Sequence, residues 1–136
     1  MSDLTEIRNR YPVLIEEMET FILERDHVTF VELARILEDK GVDPNGTFSI
    51  SAGNDPNLIF WWGASEVFAD LSFSLLKTFE ISGSSLMIYM IDGGFPDLPM
   101  AKRPPKNGYK KPHWAPIVFR STRRDSENFE LTILIP

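Results

Sequence analysis

The chain has no cysteine, which excludes structural disulfides, thiolate nucleophiles, iron–sulfur clusters and every zinc site built on sulfur. Histidine is scarce as well: His27 and His113 are the 2 present, leaving little for metal or general-base chemistry. No apolar run approaches the roughly 18 residues that span a bilayer. The start, Met1-Ser2-Asp3-Leu4-Thr5-Glu6, is polar and acidic where a secretory signal is basic and then apolar. A cytoplasmic location is expected. Also missing are a glycine-rich phosphate loop, a dinucleotide fingerprint and the carboxylate series of a calcium loop, which Asp92-Gly93-Gly94 does not supply. No cofactor and no metal are expected. Gly63-Ala64-Ser65-Glu66-Val67 follows the strand-Gly-x-Ser-helix order of a nucleophile elbow, but Val67 stands where the second glycine belongs. Ser65 therefore reads as a helix cap.

What is present is ordinary for a folded protein. A chain of 136 residues, 43% apolar and 25% charged, can bury roughly two-thirds of its unfolded surface around one core. A single domain over 1–136 is expected, of α+β class: an N-terminal αα-hairpin, a mainly antiparallel sheet of five or six strands, and a third helix packed on it.

The helices are marked by spacing and caps. Leu14, Met18, Phe21 and Ile22, with Val13 and Ile15 a turn earlier, recur at helical spacing from Pro12 to Arg25; Glu16, Glu17, Glu19 and Glu24 fall on the other face. Thr29-Phe30-Val31-Glu32 is a capping box, in which a hydroxyl and a carboxylate satisfy each other's backbone donors. Val28 and Leu33 are placed for a hydrophobic staple, and Gly41 stops the helix after Lys40. Asp26-His27-Val28 links the pair. A third helix is expected from Ser65 to Phe79, with Val67, Phe68, Leu71, Leu75 and Phe79 as its buried stripe.

The strands are marked by turns. Asp43-Pro44-Asn45-Gly46 and Gly53-Asn54-Asp55-Pro56-Asn57 bracket a strand at 47–51 and precede another at 58–62, a hairpin. Trp61 and Trp62 are consecutive, so they point to opposite faces; one reads as core, the other would be a binding anchor if exposed, and a helix covering both faces of the sheet is the favoured expectation. Glu80–Ser82 and Leu86–Ile91 are expected to pair around Gly83-Ser84, the second as a central strand covered on both faces. Ala115–Arg120 and the alternating Phe129–Ile135 complete the sheet, and the last could pair across a two-fold axis if it lies at an edge.

Charge is divided unevenly. Residues 1–100 carry 6 Lys and Arg against 17 Asp and Glu, whereas residues 101–136 carry 8 against 3. The irregular stretch at about 92–114 holds much of the proline: Pro96, Pro99, Pro104, Pro105 and Pro112, with Pro116 just beyond, are 6 of the 10 in the chain. Loops this long are uncommon without a function of their own. Within it, Lys102, Arg103, Lys106, Lys110 and Lys111 stand beside Tyr109, His113 and Trp114. Cations among aromatics suit contact with phosphates and bases, or with an acidic protein surface; the plainer reading is a solvated loop whose Trp114 packs back on the sheet.

Three functional readings follow. The favoured one is a non-enzymatic interaction module that binds a protein partner, or itself, through Lys102, Arg103, Lys106, Tyr109, Lys110, Lys111, His113 and Trp114, because an acidic chain disfavours general nucleic-acid binding. The second is a nucleic-acid-binding regulator. A recognition helix offers Arg, Lys, Asn or Gln to the major groove, yet the capped helix offers Glu32, Arg35, Glu38, Asp39 and Lys40, so phosphates would mostly be repelled. The third is a small enzyme acting on a phosphorylated substrate, with His113, Lys110, Lys111 and Asp92 gathered at one pocket. His27, in a link before a cap, reads as a surface histidine.

Overall fold

The computed structural model describes residues 4–94, 96–102 and 105–124. It opens on a helix that the sequence reading does not include, α1 (Leu4–Arg10), anchored in the core by Ile7. Tyr11 interrupts it. Pro12, whose preset φ suits a first helical turn, then begins α2 (Pro12–Arg25), which buries Ile15, Met18 and Ile22. The presence of α1 changes the polar face of α2: Glu19, expected in solvent, is buried and held by both terminal guanidinium nitrogens of Arg8.

Helix α3 (Phe30–Asp39) starts as its sequence dictates. Thr29 Oγ1 accepts from Glu32 N at 3.2 Å, and Glu32 Oε1 accepts from Thr29 N at 3.2 Å. Val28 and Leu33 are fully buried, and Gly41 follows the helix at φ +76°. At Asp43 the Oδ1 atom accepts from Asn45 N at 2.9 Å, a turn closed by a side chain.

That turn feeds β1 (Asn45–Ala52), which returns through Gly53-Asn54 into β2 (Asp55–Ala64). The two pair antiparallel, Ile50 opposite Trp61, with register shifts along the pairing from Asn45 to Ala52. Gly46 is required there: a Cβ would lie 2.7 Å from the Ala64 carbonyl oxygen and 2.8 Å from Ser65 Cα, a backbone approach that only glycine allows. Ser65 caps α4 (Glu66–Thr78) by accepting from Phe68 N at 3.2 Å, which is the role its sequence context implies. Phe68, Leu71 and Leu75 are buried, while Val67 is only partly so.

The chain then runs into β3 (Phe79–Gly83), and here expectation and structure part. Leu86–Asp92 is a helix, α5, not a central strand. Its C-terminal stop is Gly93 at φ +103°; Tyr89 is fully buried and Leu86 packs partly on the core, while Met87, Met90 and Ile91 are 66%, 58% and 77% exposed. A short apolar run fits either period, and the flanks decide. With that segment helical, β3 pairs instead with β5 (Ile117–Arg123), antiparallel, Ile81 opposite Phe119.

The single sheet of five or six strands is therefore corrected. Among the described residues there are five helices and two small sheets, one of order β1-β2-β4 and one of order β3-β5. Strand β4 is only His113–Trp114 and runs parallel to β2, Leu58 opposite His113 and Ile59 opposite Trp114. The expected terminal strand, Phe129–Ile135, lies outside the described residues. The fold is mixed α+β, and no helix among the described residues is long and apolar enough to cross a membrane.

An aromatic chain ties the two sheets and the helices together. Phe30 stacks on Trp61 at 5.8 Å and meets Phe68 and Phe119 edge-on at 6.3 and 5.3 Å. Tyr89 stacks on the other side of the chain, 5.9 Å from Trp61, and meets Trp114 edge-on at 5.0 Å. Offset and edge-on pairs of this kind add stabilisation beyond area burial. Burial pushes the Tyr89 hydroxyl far above the ordinary tyrosine range, so it stays protonated and donates to the Ile117 carbonyl at 2.7 Å.

Candidate functional site

The basic loop is held by polar groups at the start of β2. Asp55, buried despite its charge, accepts from Asn57 N and from Tyr109 N, each at 3.0 Å. Asn57 Nδ2 donates to the Tyr109 carbonyl at 2.7 Å, so that backbone is gripped at both its N–H and its C=O. Gly108 makes this approach feasible: its φ is +79°, and a Cβ would sit 3.1 Å from Asp55 Oδ2. The Tyr109 hydroxyl in turn accepts from Lys102 N at 3.0 Å, closing the loop on itself.

The eight residues singled out by sequence separate into distinct roles. Trp114 is fully buried; its indole N–H donates to the Phe60 carbonyl at 3.1 Å, and its backbone bonds to Pro99 and Ala101 at 2.8 and 2.7 Å. It holds the loop to the core and offers no surface to a partner. Tyr109 is half-buried and stacks on His113 with centroids 4.1 Å apart. Lys102, Lys106, Lys110 and Lys111 are exposed, and among the described residues no carboxylate pairs with any of them. Arg103 lies outside the described residues.

His113 has its Nδ1 at 2.8 Å from the Lys111 carbonyl, with no carboxylate orienting it among the described residues. Asp92, the suggested partner, is engaged elsewhere. Its carboxylate accepts from Thr29 Oγ1, and its carbonyl accepts from Arg35, at the C-terminal end of α5. Among the described residues no hydrogen bond or ion pair joins Asp92 to His113, Lys110 or Lys111. Asp55 and Asn57, which organise the loop, escaped the sequence reading because Asp-Pro-Asn between strands reads as a turn in its own right.

Two grooves flank this region. One, of about 470 Å³, lies between the β1–β2 turn and the loop and is lined by Asp55, Asn57, Lys106, Asn107 and Tyr109. The other, of about 440 Å³, lies between α3, β2 and the end of α5, among Val31, Arg35, Glu38, Trp61, Trp62 and Asp92. The two tryptophans point to opposite faces, but the expected cover of both is corrected: Trp61 packs between Phe30 and Tyr89, whereas Trp62 is 48% exposed. His27 is a surface residue, 3.2 Å from Asp26. Comparison with protein-family models, with curated proteins and with solved structures found no match.

Proposed function

We propose that the protein is a non-enzymatic interaction module that docks on an acidic protein surface through Lys102, Lys106, Lys110 and Lys111. One observation carries this reading: four exposed lysines without acidic partners among the described residues sit on a loop whose backbone is fixed by Asp55, Asn57 and Trp114. A pinned loop loses less conformational entropy on binding than a free one, so its charges act as a preorganised patch. The acidic surfaces of α2 and α3 argue against phosphate-backbone contact by the helices and leave the loop as the cationic feature.

The test compares an acidic peptide with an oligonucleotide of equal charge, each titrated by fluorescence anisotropy at low and high salt. The wild type is expected to bind the peptide, with affinity falling as salt rises and lost in Lys110→Ala/Lys111→Ala. Absence of peptide binding at low salt would refute the proposal. Preference for the oligonucleotide would transfer the loop to nucleic-acid recognition.

A further inference from the structure

A second surface on the same chain has the chemistry that the loop lacks. The outward face of α2 forms a groove of about 480 Å³ against the end of α3, lined by Val13, Glu16, Glu17, Phe21, Glu24 and Lys40. Val13, Glu17 and Glu24 follow one another around the helix at i, i+4 and i+11, so they share a face. Val13 is 66% exposed and Phe21 is half-buried, so apolar surface lies beside the carboxylates. Lys40 engages Glu17 at 3.5 Å. Among the described residues no cation pairs with Glu16 or Glu24.

We infer that this groove receives the basic loop of a second copy of the chain. The inference rests on the docking reading above and names its partner. Three observations carry it. The charges are complementary, with four lysines on one surface and two glutamates on the other, none of them ion-paired among the described residues. The groove is amphipathic in the way a lysine demands, since its methylene stem packs on apolar surface while its ammonium meets a carboxylate. The two surfaces do not meet within one molecule: the loop is fixed at β2, and no ion pair joins it to α2 among the described residues. They can pair only between copies.

The resulting contact is heterologous, because loop and groove are different surfaces, so it propagates into a ring or an open chain and not a two-fold dimer. Exposed ion pairs are individually weak, and salt screens them beyond about 10 Å at 0.1 M. Association is therefore concentration-dependent and strongest at low ionic strength; the net charge of −6 on each copy opposes it, and the head-to-tail orientation is the one in which loop–groove attraction offsets that repulsion.

Sedimentation equilibrium of the full chain tests this with two charge reversals, K110E/K111E in the loop and E16K/E24K in the groove, each checked for native circular dichroism. The wild type is expected to gain mass with concentration at low salt and to return to monomer at high salt. Each variant alone is expected to associate at least about tenfold more weakly. In an equimolar mixture each loop meets a groove of opposite charge, the intact loop with the intact groove and the reversed loop with the reversed groove, so the mixture is expected to recover the concentration-dependent association that each variant alone has lost. A wild type that stays monomeric at every concentration, a mixture that stays monomeric, or variants that associate as the wild type does would each overturn the inference. The acidic-peptide titration separates the two levels. Peptide binding by a strictly monomeric wild type leaves the docking module standing and removes the second copy as its partner, whereas loss of both removes the two together.

Discussion

Asp26 occupies backbone that L residues avoid, φ +55° with ψ 159°, and His27 follows at φ +51°. Such conformations cost of order 1–3 kcal/mol and persist where surrounding contacts over-determine them. Here the Asp26 carboxylate accepts from Arg120 Nε at 3.0 Å and from Ser121 N at 2.9 Å, with His27 Nδ1 at 3.2 Å. The Arg120 hydrogen bond is the main cause that holds its pKa far below the usual carboxylate range, with the Ser121 N–H next. A depressed carboxyl stabilises the fold fully above its unfolded value of about pH 4, and the stabilisation is lost as pH falls towards the folded value. Asp26→Asn keeps the shape and removes the charge. Its urea midpoint is expected to lie below that of the wild type at neutral pH, and the gap to narrow as pH drops below about 4; a constant gap would show that the carboxylate charge contributes nothing.

At the scale of elements, the helix starts follow from local chemistry. Thr29 closes the capping box of α3 and also donates to Asp92, so one hydroxyl joins the start of α3 to the end of α5. Thr29→Ala is expected to cost about 1–2 kcal/mol in equilibrium unfolding, the upper range for a lost cap, with Thr29→Ser recovering most of it. Helix α5 shows how little sequence separates two structures. Leu86–Ile91 is continuously apolar and reads as a covered strand, yet only Tyr89 is buried. A buried tyrosine needs a partner for its hydroxyl, and helical geometry lets it reach Ile117 on β5 and the Phe30 N–H on α3. Extended geometry would have put alternate residues against the core, whereas here Tyr89 is fully buried and Leu86, three residues earlier, packs partly beside it.

For the molecule as a whole, Trp114 is the junction between the loop, β2 and the aromatic chain. The basic residues before it suggest a surface contact, whereas the structure packs it against the sheet. Trp114→Ala is expected to cost about 3–5 kcal/mol, as aromatic truncations in a packed core do, read as a lower urea midpoint with fluorescence from Trp61 and Trp62. A loss below about 1 kcal/mol would mean that the loop is not tied to the core through this residue.

By itself the sequence determined what neighbours within four residues can satisfy: the capping box at Thr29, the cap at Ser65, the Gly41 stop and the turns at Asp43 and Gly53. It also determined the cationic character of the loop, since lysine needs no fold to be charged. The tertiary structure alone decided what depends on distant partners. It buried Glu19 by laying α1 over it, made a helix of 86–92, split one expected sheet into two, and fixed the lysine loop to Asp55 and Asn57. Caps and turns are closed by groups that the chain holds side by side. Burial, strand pairing and loop anchoring depend on which remote surfaces meet, and a linear pattern carries that only through the packing it eventually finds.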